Sequence, residues 1–190
     1  GDLHILLVGD PGTGKCLKGD TMVTLGDGRR KRIGDLVEEH LDDPIPVDDG
    51  VYDTVDIPVP SLTDSGEIEQ RRARKVWKRE APDLMYQITT TSGREIEVTP
   101  SHPLFVHSDG AFVPREAEHL GVDTTIAVAS ERNPATDGGL TAVGNPIASA
   151  ETLPGLGVAT DRIASIEPVE PDYDSVSDLD VGATHRYLSN

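Results

Sequence analysis

Between residues 9 and 28 the chain starts one kind of structure and continues as another. That break limits what it can fold into more than any other feature. Gly9-Asp10-Pro11-Gly12-Thr13-Gly14-Lys15 has the spacing of a phosphate-binding loop, and it follows an apolar run, Leu3-His4-Ile5-Leu6-Leu7-Val8, that reads as a buried strand. Such a loop needs Ser or Thr next, to hold magnesium, and then a helix whose amino-terminal dipole faces the phosphates. Here Lys15 is followed by Cys16-Leu17-Lys18-Gly19-Asp20-Thr21-Met22-Val23-Thr24-Leu25-Gly26-Asp27-Gly28, whose glycines and β-type residues read as a turn and a strand. The loop is interrupted, and Cys16 is the first residue of the interruption.

At 190 residues the chain can bury one sizeable core. Cys16 is the only cysteine, which excludes a disulfide framework or a zinc ribbon. A lone thiol is more often a small buried hydrophobe than a nucleophile, so Cys16 alone carries no chemistry. No leader peptide or bilayer-length apolar run is visible, and a soluble, cytoplasmic protein is expected. The net charge is −17, from 34 acidic residues against 17 basic ones, which argues against binding nucleic acid through a basic surface. So acidic a surface repels itself at low ionic strength. Molar salt cuts the screening length to about 3 Å, so the composition predicts a halophilic source and salt-dependent folding.

Along the chain, Thr21 to Leu25 reads as a strand closed by Gly26-Asp27-Gly28. Ile33, Leu36, Val37 and Leu41 share one face of a short helix within Lys31 to Leu41. Asp42 to Gly50 reads as a loop, and Val51 to Leu62 as a strand that Pro58 and Pro60 push towards a sheet edge. Glu67 to Glu80 shows no helical stripe and reads as a long, exposed strand. Met85–Thr91 and Arg94–Val98 flank Ser92-Gly93 as a tight hairpin. Short β pieces follow from Pro103 to Val113, then a helical turn at Glu116 to Leu120 and a strand at Thr124 to Val128. Asn133 to Ala159, punctuated by Gly138-Gly139, Gly144-Asn145-Pro146 and Pro154-Gly155, reads as a connector. Strands resume at Arg162–Val169 and Ser175–Val181, and a last extended piece holds Tyr187 and Leu188. The expected architecture is all-β, built of many short strands with one or two short helices.

Three places carry chemically useful residues. Cys16 opens the interruption. Thr99 and His102 stand three apart at the close of the hairpin, in Val98-Thr99-Pro100-Ser101-His102-Pro103-Leu104-Phe105. Asp178-Leu179-Asp180-Val181 is followed by Thr184-His185. A thiol, a Thr/His pair and an Asp/His pair are the groups that an acyl transfer uses: a nucleophile, a proton carrier and a donor for the oxyanion. Each alone has a bland reading: a histidine beside proline is usually a loop residue, and Thr99 could simply cap a turn. His4, His40, His107 and His119 have such roles.

In combination and order these motifs resemble the Hedgehog/intein (HINT) family, and within it a mini-intein. Cys16 to Leu25 is similar to the amino-terminal signature of that family, Gly93 to Val106 to its internal signature, and Asp178–Val181 with Thr184-His185 to its carboxyl-proximal signature. The resemblance spans residues 16–190, and it implies a horseshoe-like all-β fold with pseudo-twofold halves. Residues 3–15 are similar to the phosphate-binding loop of an archaeal-type minichromosome-maintenance (MCM) replicative helicase. They would be the amino-terminal extein, and the missing Ser or Thr would be the first residue after the intein. Residues 133–159 would stand where other inteins carry a homing endonuclease.

The resemblance implies autocatalytic splicing that begins at the Lys15–Cys16 bond. Cys16 attacks the Lys15 carbonyl to make a thioester. His102 handles the Cys16 amide nitrogen, and Thr99 steadies the bond and the oxyanion. Asp178 couples the first steps, and His185 assists the final asparagine cyclisation. Inteins close with a short apolar strand and His-Asn, whereas Ser189 precedes Asn190 here. The expectation is therefore that Asn190 lies inside the last signature, that a closing segment is missing, and that a separate carboxyl-terminal piece would be the partner completing it. The other expected partners are helicase exteins in cis, with no nucleic acid and no membrane, and the chain is expected to be a monomer. No metal or organic cofactor is implied. Two rival readings are a nucleotide-binding P-loop NTPase fragment and a passive β module in which Cys16 and His102 merely pack.

Overall fold

The computed structural model describes residues 3–8, 16–62, 68–131, 156–182 and 186–189. Leu3–Val8 forms β1, Leu17–Lys18 β2, Met22–Thr24 β3 and Arg30–Arg32 β4, and then comes helix α1 at Ile33–Glu39. Ile45–Val47 is β5, Gly50–Leu62 β6, Ile68–Glu80 β7, Met85–Thr90 β8 and Glu95–Val98 β9. Pro103–Ser108 (β10) and Ala111–Glu116 (β11) precede a 3-10 turn at Ala117–His119. Thr125–Glu131 is β12, Leu156–Val169 β13, Ser175–Val181 β14 and Arg186–Ser189 β15. The all-β expectation holds, and so do the short helix and the helical turn.

Every pairing among these strands is antiparallel, in the order β4-β3-β15-β1-β10-β12-β13-β8-β9-β2-β14-β7-β6-β5, with β11 beside β10. Two placements in that order position the chemistry. The two-residue β2 lies between β9 and β14, pairing Leu17 with Val98 and Ser177. β1 lies inside the sheet, with Ile5 to Val8 against β15 on one side and Leu3 to Ile5 against β12 on the other.

Alternation in the strands sends one set of side chains inward. Leu17, Val76, Ile88, Val98, Leu104, Ile126, Ile163, Leu179 and Tyr187 are fully buried in one cluster. Each large apolar side chain so placed contributes about 1.5–3 kcal/mol relative to exposure. Helix α1 is too short to be stable by itself and is held by packing. Ile33, Leu36 and Val37 are buried, with the helix against β14. Its first amides lack intrahelical acceptors and no side chain caps them. The Ile33 N–H donates instead to the Thr21 carbonyl and the Gly34 N–H to the Gly19 carbonyl, each at 2.8 Å. A Cβ on Gly34 would stand 2.9 Å from that Gly19 oxygen, so the helix start fits only because residue 34 has no side chain. The turn after Cys16 is thereby fastened to α1.

Three expectations need correction. Glu67–Glu80 is not an exposed strand. β7 is an inner strand between β6 and β14, and Ala73, Val76, Trp77 and Arg79 are buried. Its many charges hid this, because long cationic side chains reach solvent past a buried stem. The reading of Asp42–Gly50 as loop missed β5, three residues paired with Gly50–Tyr52. The connector expected over 133–159 ends earlier than the glycines suggested, since Leu156 already pairs with Glu131 and β13 runs unbroken to Val169. A backbone ladder needs no side chain, so Gly157 pairs with Ser130 as any residue would. Residues 133–155 lie outside the described residues. Among the described residues, no helix is long and apolar enough to cross a membrane.

Candidate functional site

Cys16 is placed by its neighbours on both sides. Continuing the β2–β14 register, Lys18 with Val176 and Leu17 with Ser177, sets Cys16 across from Asp178. Directly opposed residues of an antiparallel pair send their side chains to the same face, so the thiol and the carboxyl share one. On the other side the backbone of Cys16 is locked to Thr99 in both directions. The Cys16 N–H donates to Thr99 Oγ1 at 3.0 Å, and the Thr99 N–H donates to the Cys16 carbonyl at 3.0 Å. The amide nitrogen of the Lys15–Cys16 bond is therefore held by a side-chain hydroxyl 83 positions away.

Thr99 begins a tight turn that His102 closes, with the His102 N–H on the Thr99 carbonyl at 3.0 Å. The 3-10 turn braces it from outside: the Ala117 N–H donates to the His102 carbonyl and the Glu118 N–H to the Pro100 carbonyl, both at 2.9 Å. His102 is wholly buried, as are Cys16 and Asp178. Sequence-predicted Cys16, Thr99 and Asp178 thus come together, with His102 held in the turn that Thr99 starts. Lys15 and His185 lie outside the described residues.

Burial is the first influence on the titration of this site. It pushes the Cys16 thiol well above its usual range, and the neighbouring Asp178 pushes it further, opposed by Arg79. Burial likewise drives the Asp178 carboxyl well up, against the hydrogen bond from Tyr187 and the charge of Arg79. Burial thus favours the neutral form of both acids, and each opposes the charging of the other. The Tyr187 hydroxyl donates to Asp178 Oδ1 at 2.5 Å, and burial together with Asp178 keeps the phenol protonated. Tyr187 escaped the sequence reading. It belonged to the last extended piece, and nothing local ties it to a carboxyl nine positions earlier.

A cleft of about 340 Å³ opens beside the thiol, lined by Cys16, Thr99, Ser101, Asp49, Arg79 and Glu118 among others. Among the described residues, Glu116, Glu118 and His119 bring ligand atoms within 4.8 Å of one another on the surface of the 3-10 turn. Residues after Cys16 form β2, a turn at Gly19-Asp20 and β3, so the helix that a nucleotide-binding loop requires does not follow residue 15. That removes the support for the NTPase reading.

Known proteins share this fold. Similar solved structures include the PabCDC21-1 intein, 33% identical with a TM-score of 0.75 and covering 93% of this chain and 95% of that one. The TvoVMA intein is 25% identical with a TM-score of 0.71, over 93% and 97% of the respective chains. The DNA polymerase II large subunit of Halobacterium salinarum is 28% identical over 181 residues, 87% of this chain and 13% of that protein. The replication factor C small subunit of Methanocaldococcus jannaschii is 35% identical over 125 residues, 65% of this chain and 6% of that protein. The chain thus spans less than a fifth of the length of either relative. This is the pattern of a domain embedded in host proteins of different kinds. The intein splicing domain profile matches residues 23–190, most of the chain, and together with the buried Cys16–Thr99–Asp178 centre it shows that this protein belongs to the intein splicing family, whose activity is autocatalytic protein splicing.

Proposed function

We propose that residues 16–190 are a splicing domain whose first step is an N-to-S acyl shift at the Lys15–Cys16 bond. The observation that carries it is the reciprocal hydrogen bonding of Cys16 with Thr99, which grips the nitrogen of that bond beside a buried histidine turn. The Cys16 sulfur adds to the Lys15 carbonyl, the carbon–nitrogen bond breaks, and the thiol proton ends on the amino group of Cys16. Nothing is consumed, so the step needs no cofactor.

Amide resonance, reflected in a rotation barrier of about 18–20 kcal/mol, makes nitrogen a poor leaving group until it is twisted or protonated. Thr99 Oγ1 fixes the existing N–H in the peptide plane. A second proton must then arrive perpendicular to that plane, and His102 is the group to supply it. Asp178, across from the thiol, takes the thiol proton as a carboxylate, a transfer that burial favours by stabilising the neutral acid, and gives it up again as the amino group of Cys16 is released. His185 serves the final asparagine cyclisation, after transesterification and before extein ligation.

The host in this proposal is an MCM-type helicase. Residues 1–15 form the first part of its phosphate-binding loop, and the Ser or Thr that follows the intein supplies both the second nucleophile and, after ligation, the magnesium ligand. Support for that host is the Gly9–Lys15 motif with its strand. The 34 acidic residues support a salt-rich setting.

An intact-mass time course of residues 1–190 with a small thiol tests the reading, run at 0.1 and 3 M salt with and without a peptide carrying an apolar closing strand and His-Asn. Release of residues 1–15 is expected, faster in high salt. Cys16→Ala should abolish it and His102→Ala should slow it by about 10²–10⁴-fold. A folded parent chain that releases nothing under any condition would leave only the fold.

A further inference from the structure

Arg79 is a charge in an improbable place. It sits on the inner strand β7 with 9% of its surface exposed, and a buried cation is costly unless partnered. Two partners hold it. Asp49, in the turn between β5 and β6, accepts a hydrogen bond from its guanidinium, and the group lies 4.7 Å from the centroid of the Trp77 ring. The backbone is fitted to the same purpose. The Glu80 N–H donates to the Asp49 carbonyl at 2.7 Å, and Gly50 pairs with Arg79. A Cβ on Gly50 would fall 2.1 Å from the Lys78 carbonyl and 2.8 Å from the Arg79 Cα, so only glycine lets the Asp49 turn close on this strand.

The register then aims this pair at the reacting centre. Arg79 opposes Val176 and Trp77 opposes Asp178 across β7 and β14, while Lys18 opposes Val176 across β14 and β2. Cys16, one residue before Leu17, is thus diagonal to Arg79 over a single strand, and both line the 340 Å³ cleft together with Asp49. We propose that the Arg79–Asp49 ion pair is a positioning device for the splicing reaction, with Arg79 stabilising the anionic sulfur of Cys16, and Asp49 holding Arg79 in place and limiting that effect. This inference rests on the acyl shift proposed above.

The charges around the thiol have the corresponding signs: Arg79 eases its ionisation, whereas Asp178 and Asp49 oppose it. Other ionisable groups near the thiol are Glu80 on β7 and Glu118 of the 3-10 turn, which line the same cleft, Tyr173 ahead of β14, and Lys18 of β2, whose ammonium lies 5.4 Å from the centroid of the Tyr173 ring. A thiolate is the attacking form, so the position of Arg79 bears directly on rate.

The test is the thiol-induced release of residues 1–15 measured by intact mass from pH 6 to 10, for the parent, Arg79→Met, Arg79→Lys and Asp49→Asn, each confirmed folded by circular dichroism. A unit charge near a titrating group moves it by about 1–3 pH units, so Arg79→Met should shift the rate midpoint upward by about one unit and slow release about tenfold at pH 7. Arg79→Lys should largely restore the parent profile, and Asp49→Asn should shift the midpoint downward. The opposite signs are decisive, because mere damage to β7 would move neither midpoint in a charge-dependent way. If Arg79→Met leaves the midpoint where it was, or Asp49→Asn moves it the same way as Arg79→Met, the inference fails while the splicing reading stands. Should Arg79→Met not fold, the direction of Asp49→Asn decides, its side chain being half-exposed and tolerant of change. A parent that releases nothing overturns the acyl shift itself, and this inference with it.

Discussion

At the scale of single residues, the centre is quiet because it is dry. The thiol of Cys16 and the carboxyl of Asp178 are both held towards their neutral forms by burial, and the acyl shift we propose lets one charge appear between them. For stability the consequence has a definite sign. A group whose folded-state pKa lies above its unfolded value contributes fully below the unfolded value and loses that contribution as pH rises through the folded one. Asp178 is such a group, with an unfolded value near ~3.9. Asp178→Asn should therefore gain stability relative to the parent as pH rises from about 4 to 8. Urea unfolding at several pH values reads the difference, and a gap between the two chains that does not grow with pH would refute a buried, proton-holding carboxyl. The residue types at the centre were legible in the sequence, because Cys16 broke a phosphate loop and Thr99 and His102 closed a hairpin. Tyr187 and Arg79 were not, since their roles exist only once β14 has set them beside Cys16 and Asp178.

At the scale of elements, hairpins and short strands could be read and strand neighbours could not. The β8–β9 hairpin follows from its turn chemistry and alternation, and it forms where expected, pairing Tyr86 with Val98 and Thr89 with Glu95. Its distal turn is tied to β13 by one carboxylate. Asp161 accepts hydrogen bonds from the hydroxyls of Thr91, at 2.8 Å, and Ser92, and from the Arg162 N–H at 2.8 Å. Burial disfavours the charge, but these bonds and one from Thr90 outweigh it, so the Asp161 carboxyl lies below its ordinary range. Its contribution is present above an unfolded value near ~3.9 and is lost as pH falls. Asp161→Ala should cost about 1–3 kcal/mol at neutral pH, by stranding the hydroxyls it serves, and less in acid. Chemical denaturation at pH 7 and pH 3 checks both parts, and an equal loss at both would show that charge plays no role. β7 was misjudged for the opposite reason: composition suggested exposure, and burial came from β14, which lies about a hundred positions later and pairs along it from Ala73 to Glu80.

At the scale of the whole molecule, three segments far apart in sequence meet because β2 is only two residues long and must borrow partners on both sides, Val98 from one and Ser177 from the other. Neither pairing can be read from periodicity. Their meeting was foreseen only through the resemblance of the motifs to the intein family. β1 lies within the same sheet, bonded along both edges, although residues 3–8 precede the bond at which we propose the chain is cut. Severing the chain before Cys16 therefore breaks a covalent link without undocking the severed piece. The leaving segment should remain bound as a separate polypeptide, so that its new end stays at high local concentration beside the amine it has just left. Cleaved material should co-elute with the remainder on size exclusion and separate only in denaturant. Prompt separation under native conditions would mean that β1 exchanges freely. Retention would make departure of the docked strand, rather than bond breaking, the event that commits the cut.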